Sequence, residues 1–475
     1  VIRPDPEAPP LHLADESRWY TEHTALLVST SKWAVLGAAA GFCVGWGTKA
    51  FLWSLAASAS LTSRLLPSAV RPYFLLPLAL PACVWLIRTF APTAQGHGTE
   101  AVIAAVHQRA GRVDWQVAPI KLLATVLTLA FGGSVGKEGP CAQIGASITS
   151  LFADVMRLND EDRRRLVICG IGAGFAAVFG TPVSGALFGI EVLYLGRIEY
   201  PVLFPCLVAG IIAHLVCGVG APVPALHADE GFLARSSLVP WSIVLGAAFG
   251  LIALLLIEAM RAAERVAARF QKHPYALAAG GGAVLAVFYL AAGDAYAGLG
   301  TATIEAALGG AQIVTLAFLM KIVATSVTLE TGGSGGIVTP LFFIGATSGA
   351  ALGRLAGLPS GVVAAFGFVS VVAAAANTPI AAAVMGMELL PGHIGVYAAL
   401  CAGTAFLIVG HRSVYASQKL GFVKSAGLEL PLGGPIGDVA RGAVRVRKGT
   451  LTETVHLLVA RRKGRGRVGG PRGDQ

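Results

Sequence analysis

The sequence predicts an all-α, polytopic membrane protein assembled from two related halves. Three observations carry that prediction. The 475-residue chain is 55% hydrophobic and only 13% charged, about half the charge of a soluble globular chain, and its mean hydropathy is +0.69. Apolar runs long enough to cross a bilayer recur at Tyr73–Phe90, Pro201–Val219, Leu238–Ala259 and Ala276–Gly293. A block of the first half also returns in the second. Residues 121–146, KLLATVLTLAFGGSVGKEGPCAQIGA, align without a gap to 321–346, KIVATSVTLETGGSGGIVTPLFFIGA, with 13 of 26 positions identical.

Two shorter blocks extend the repeat in the same order. Gly96-His97-Gly98-Thr99 matches Gly298-Leu299-Gly300-Thr301 at an offset of 202, and GTPVSGALFGIE (180–191) matches NTPIAAAVMGME (377–388) at an offset of 197. Glycines, prolines and acids are shared, so hydrophobic bias alone does not explain the match. Internal duplication is a habit of secondary transporters and related channels.

The chain then divides in order. Residues 1–30 are a polar, proline-rich cytoplasmic segment with no visible cleavable signal peptide. Residues 31–220 form membrane repeat 1, and 238–420 form membrane repeat 2. Between them 221–237, with Asp229-Glu230, is a solvated loop; the run Asp160-Glu161-Asp162-Arg163-Arg164-Arg165 reads as another. Residues 421–475 are a basic tail that concentrates the net charge of +10, a cytoplasmic flank and not a nucleic-acid site. The cysteines are scattered without metal-ligand spacing and read as small buried hydrophobes. Hydrolase and metalloprotease motifs in a fitting context are absent. No enzyme and no cofactor are expected.

Some apolar segments, such as 338–353 and 361–374, are short for a perpendicular span. They predict broken or tilted helices that meet near the midplane. A helix that starts inside the membrane presents unpaired N–H groups and a partial positive charge. That is an anion site without a full countercharge. Gly136-Lys137-Glu138-Gly139-Pro140 opens one such helix, Gly335-Gly336-Ile337-Val338-Thr339-Pro340 opens its counterpart, and Gly96-His97-Gly98-Thr99 opens a third. Glycine lets the backbone approach an ion, and proline fits the first helical turn. Irregular backbone at depth is tolerated only where it is buried in protein or lines a polar cavity, so these loops predict a pathway.

Individual residues follow. Glu138 is an intramembrane acid, functional by default, or else a helix-start carboxylate that only complements the dipole. Lys137 raises the local anion concentration or snorkels. The backbone around Gly136, Gly139, Gly336, Ile337 and Val338 supplies N–H donors. His97 carries a ring that titrates near neutral pH. It either donates to the anion or caps the helix and points off the pathway. Tyr415 is a phenolic donor into an apolar vestibule or an interfacial belt tyrosine. Glu330 is either an alternative proton carrier or a partner of backbone donors or Lys321. Glu191, matched by Glu388, reads as a structural junction.

GGSVGKEGP (132–140) closely resembles the GKEGP/GREGP signature of the CLC family of chloride channels and transporters. GGSGGIVTP (332–340) is similar to that family's GGIFxP element, and GFAAVFGTPVSGALFGIE (174–191) resembles its AAxFxxPxxGxxFxxE segment. GHGTE (96–100) sits where the family carries GSGxP, and Tyr415 where its last membrane helix carries an anion-coordinating tyrosine. The resemblance covers about 30–420. It implies a CLC-type fold of two inverted-topology repeats with broken and tilted helices. It also implies a homodimer with one anion pathway per subunit, and the compact form a prokaryotic inner membrane. The regulatory CBS domains of some relatives are expected to be absent after residue 420.

The resemblance makes Glu138 the gate, whose carboxylate competes with the anion and swings away when protonated. Three positions depart from the family. His97 replaces a serine, Val338 replaces a phenylalanine, and Val192 stands where proton-coupled relatives have a second glutamate. The expected function is transport of chloride or a similar small anion, as a proton-coupled antiporter gated by Glu138. The alternative, raised by Val192, is a passive, voltage-gated-type chloride channel. A cation route would want intramembrane carboxylates, whereas these loops offer donors.

Overall fold

Long apolar runs broken by Gly and Pro produce helices of unequal length. The computed structural model of the chain describes residues 15–67, 70–218, 238–392, 394–439 and 444–455. The N-terminal residues 1–14, the connecting loop 221–237 and the basic residues 456–475 lie outside the described residues. The first half runs α1 (Asp15–Leu65), α2 (Leu76–Phe90), α3 (Thr99–Gln108), α4 (Val117–Ala130), α5 (Glu138–Val155), α6 (Asp160–Phe179), α7 (Pro182–Glu191) and α8 (Leu203–Cys217). The second runs α9 (Leu238–Ala268), α10 (Pro274–Ala292), α11 (Thr301–Leu308), α12 (Ala317–Glu330), α13 (Val338–Ala356), α14 (Ser360–Ala376), α15 (Pro379–Leu389) and α16 (Ile394–Ile408). Elements α2–α7 correspond in order to α10–α15, and a proline opens both α7 and α15.

Burial separates the helices into two kinds. Helices α1, α9 and α10 keep large apolar side chains exposed, among them Trp53, Val244 and Val287. With α2, the segment 200–217 around α8, and α13, they are long and apolar enough to cross a membrane. Helices α5, α6, α13 and α14 are buried along nearly their whole length. Protein and not lipid surrounds them, and the segment expected to be short at 338–353 is a 19-residue helix. Small residues let them touch. A Cβ on Gly145 of α5 would lie 2.2 Å from the Gly170 carbonyl of α6, and one on Gly345 of α13 would lie 2.1 Å from the Gly367 carbonyl of α14. The same close approach is thus built in both halves.

The halves are related by reciprocal contacts. Gly136 N–H donates to Gly336 O (2.6 Å), and Gly336 N–H donates to Gly136 O (2.7 Å). This bridge is antiparallel, so the chain passes through the two loops in opposite directions, as inverted repeats require. Ser134 N–H donates to the Thr328 hydroxyl (3.1 Å), and Ser334 N–H to the Thr128 hydroxyl (3.0 Å). At the other junction Glu191 accepts from the amides of Ile380 and Ala381 at 3.0 and 2.7 Å. Glu388 accepts from those of Val183 and Ser184 at 2.9 and 2.8 Å. Each acid at the end of one short helix therefore caps the start of its counterpart, the structural junction expected of Glu191.

Several boundaries differ from expectation. Helix α1 already begins at Asp15, inside the segment assigned to a separate terminus. Asp160–Arg165 is not a loop but the opening turns of α6. Asn159 caps it by accepting from Asp162 N–H (2.8 Å), and Arg163 is buried against Asp154 at 2.5 Å. Acids first and bases after them suit a helix N-terminus. The start of the basic tail also folds back. Lys419–Leu420 pairs in parallel with Tyr194–Leu195, and Ile436 N–H donates to Gln418 O at 2.7 Å.

Candidate functional site

Three helix starts converge at the bridge between the halves. Helix α5 begins at Glu138, α13 at Val338 and α3 at Thr99. A Cβ on Gly139 would lie 2.3 Å from His97 O and 2.8 Å from Gly336 Cα, and one on Gly98 would lie 2.5 Å from Gly139 O. No other residue type permits this approach. Gly98 also holds φ +81°, which frees α3 to start here.

Glu138 is 1% exposed. Its Oε2 accepts from Thr339 N–H (3.0 Å) and from the Thr339 hydroxyl (2.5 Å). The carboxylate of one half thus occupies the helix start of the other, where an anion binds best. Gly136 makes room for it: a Cβ there would lie 2.6 Å from Glu138 Oε2 and 2.8 Å from the Thr339 hydroxyl. Lys137 is half-buried, and its charge acts on the Glu138 carboxylate.

The remaining candidates divide. The amides of Gly136 and Gly336 donate to each other, so they lock the loops together and are not the donors expected for an ion. Ile337 and Val338 are fully buried at the α13 start. Tyr415 is fully buried, which removes it from any interfacial belt, and it lies within electrostatic reach of Glu100 and Glu138. Its hydroxyl lies against the Thr99 side chain, and Glu138 Oε1 and His97 Nδ1 are buried without a hydrogen-bond partner in the protein. Such groups call for an ion or water.

His97 does not cap α3, whose start has no side-chain cap; its Nε2 faces Glu330 Oε1 at 3.7 Å. Glu330 in turn does not pair with Lys321. The Lys321 ammonium is consumed by Tyr296 O (3.1 Å) and Gly298 O (2.7 Å). In the first half Lys121 donates in the same way to Ala94 O (3.1 Å) and Gly96 O (2.6 Å). Both lysines are fully buried and pin the Gly loops that precede α3 and α11.

Sequence reasoning missed several members of the site. Thr339 occupied a variable position of its motif, although a hydroxyl beside the helix-opening Pro340 was a readable donor. Lys121 and Lys321 open the aligned repeat block as an identity. Gln418, fully buried, gave no signal. Its amide donates to Val192 O (2.8 Å) and Ala376 O (2.7 Å), and its Oε1 accepts from the Ser413 hydroxyl (2.6 Å). Glu100 accepts from Ser417 N–H and hydroxyl at 2.8 and 2.5 Å. Together these bonds hold the turn that carries Tyr415.

A family model described as "Voltage gated chloride channel" matches residues 78–410. The chain is 37% identical over 338 residues to a chloride/fluoride channel protein of Pseudomonas syringae pv. tomato, covering 69% of this chain and 74% of the relative. It is 28% identical over 287 residues to the H(+)/Cl(-) exchange transporter ClcA of Vibrio cholerae serotype O1, covering 57% of this chain and 60% of that protein. Among solved structures, a CLC-type fluoride/proton antiporter superposes with a TM-score of 0.76 at 28% identity, over 82% of this chain and 98% of that one. A slow cyanobacterial Cl-/H+ antiporter, at 22% identity and a TM-score of 0.68 over 79% of this chain and 94% of that one, shares the fold.

Proposed function

Because the chain belongs to the voltage-gated chloride channel (CLC) family, we propose that this multi-pass membrane protein exchanges a small halide for protons, with Glu138 as the gate. One observation carries the proposal: the Glu138 carboxylate sits on the N–H and hydroxyl of Thr339. It is a surrogate for the transported anion, with the same charge on the same donors. Protonation removes that charge and weakens the bonds. The donors then pass to the halide, and the proton travels with the displaced side chain. Halide and the ionised carboxylate therefore compete for one set of donors, so halide binding and protonation of Glu138 are linked, which is the basis of exchange.

The same geometry favours fluoride over chloride. A carboxylate oxygen accepting at 2.5 and 3.0 Å is close in size to fluoride, whereas chloride needs longer contacts. Hydroxyl donors from Thr339 and Tyr415 suit the stronger hydrogen-bond acceptor. The name of the fluoride/proton antiporter gives the same ion, and that of the Pseudomonas channel includes it beside chloride.

Passive, gated conduction is the second reading. It is favoured by Val192, a buried apolar residue where the resemblance calls for a proton-carrying glutamate. Homodimer assembly and an inner-membrane location remain expectations from the family. Cross-linking of the detergent-solubilised protein tests the first.

Halide efflux from proteoliposomes, read with fluoride- and chloride-selective electrodes, tests the anion. Fluoride efflux faster than chloride efflux is expected. Equal rates would return the assignment to chloride or another small anion, and no efflux of either would overturn halide transport.

A further inference from the structure

We propose that His97 and Glu330 form the inner proton-accepting station of this exchanger, in place of the acid that Val192 cannot supply. The proposal rests on the exchange reading above and names the residues by which protons reach the gate from the opposite side. Glu191 has both oxygens held by the Ile380 and Ala381 amides. Glu100 is held by Ser417 through Oε1, and its free Oε2 lies in the same cavity as the pair. Val192 itself only lends its carbonyl to Gln418.

His97 Nε2 and Glu330 Oε1 are 3.7 Å apart, with side chains 16% and 18% exposed. Both line a cavity of about 730 Å³. The main chain of His97 reaches the other way, with its carbonyl against Gly139, the neighbour of Glu138. One residue thus spans from the cavity to the gate. Its Nδ1 is buried without a protein partner, while its Nε2 faces the acid. The pair also breaks the repeat symmetry. The counterpart of His97 is Leu299, and that of Glu330 is Ala130. At these two positions the other half carries apolar residues, so the pair has no repeat-related copy.

The surroundings bear on the charge of the pair. Helix α9 contributes Glu258, Arg261, Glu264 and Arg265 to the cavity, α3 contributes Glu100, and the C-terminal segment contributes Asp438. A smaller adjoining cavity adds Arg88 from α2. Glu258 lies 2.9 Å from Arg412 and 3.4 Å from Arg261, so it is matched. Glu330 faces His97 Nε2. A proton from cavity water binds the Glu330 carboxylate and crosses the 3.7 Å gap to His97 Nε2 through one water. The imidazolium then releases the Nδ1 proton toward the Glu138 carboxylate, which leaves a neutral ring protonated on Nε2. Return of that proton to Nδ1 through water resets the ring for the next transfer.

The test is the number of protons moved per halide in proteoliposomes under a halide gradient, a ratio that general loss of turnover does not change. Glu330→Gln and His97→Gln are expected to lower that ratio by about tenfold or more. Glu330→Asp restores it, and Glu429→Gln, an exposed acid outside the cavity, keeps the wild-type ratio. A wild-type ratio in both Glu330→Gln and His97→Gln overturns the station while leaving exchange intact. Wild-type protein that moves halide without protons overturns the exchange reading, and the station with it.

Discussion

The Glu138 carboxylate caps the helix that starts at Val338 in the opposite half of the chain, through the amide and hydroxyl of Thr339. A side chain of one repeat thereby closes the anion site of the other. The bridge between Gly136 and Gly336 fixes the geometry of that closure.

Thr339 is then both gate partner and anion donor. Replacing its hydroxyl by a methyl in Thr339→Val removes a hydrogen bond to a charged group, worth about 1.5–3 kcal/mol. With Glu138→Gln in both proteins, so that no carboxylate competes for the donor, halide affinity measured by isothermal titration calorimetry is expected to fall by about tenfold or more. Thr339→Ser is expected to stay within a fewfold of wild type, since the donor is kept.

Gly136→Ala tests the size of the site. Its Cβ would lie 2.6 Å from Glu138 Oε2 and 2.9 Å from Thr339 N, in the space that carboxylate and halide share. The protein is expected to elute as wild type on size exclusion and to lose most of its halide flux. Unchanged flux would show that the ion does not pass here.

Lys121 and Lys321 are expected to behave alike. Methionine at either position leaves two buried carbonyls unpaired, at about 1–3 kcal/mol each. Both variants should lower the thermal midpoint in detergent by similar amounts, because both ammonium groups bond to the loops in the same way. A loss in only one would show that the two loops are not equivalent in energy.

Gln418→Leu keeps the approximate volume but cuts the bonds that tie the Tyr415 turn to Val192, Ala376 and Ser413. It is expected to weaken halide binding in the same direction as Tyr415→Phe. Combining the two should cost less than the sum of the single effects, since both act through one hydroxyl. Full additivity would separate Gln418 from the site.

The duplication was legible because glycines and prolines mark where helices stop, and the same marks recur in both halves. The helix starts at Glu138, Val338 and Thr99 follow from those marks. The pairing of His97 with Glu330 was not legible. Each residue was visible as an unusual polar group, but only closure of the two halves brings a loop before α3 against the end of α12. The mutual engagement of the Gly136 and Gly336 amides was hidden for the same reason, since either loop alone offers free donors. The Asp160–Arg165 turn was readable and was misread: Asn159 followed by acids is the pattern of a capped helix start.

The central claim is that Glu138 couples a halide to a proton. Its most direct test is reconstitution into liposomes with a halide gradient, external pH recorded and the potential clamped by valinomycin. The expected result is uphill proton movement driven by the halide in the wild type and none in Glu138→Gln. Halide flux in the wild type with no proton movement would contradict the claim and leave Glu138 as the gate of a passive channel.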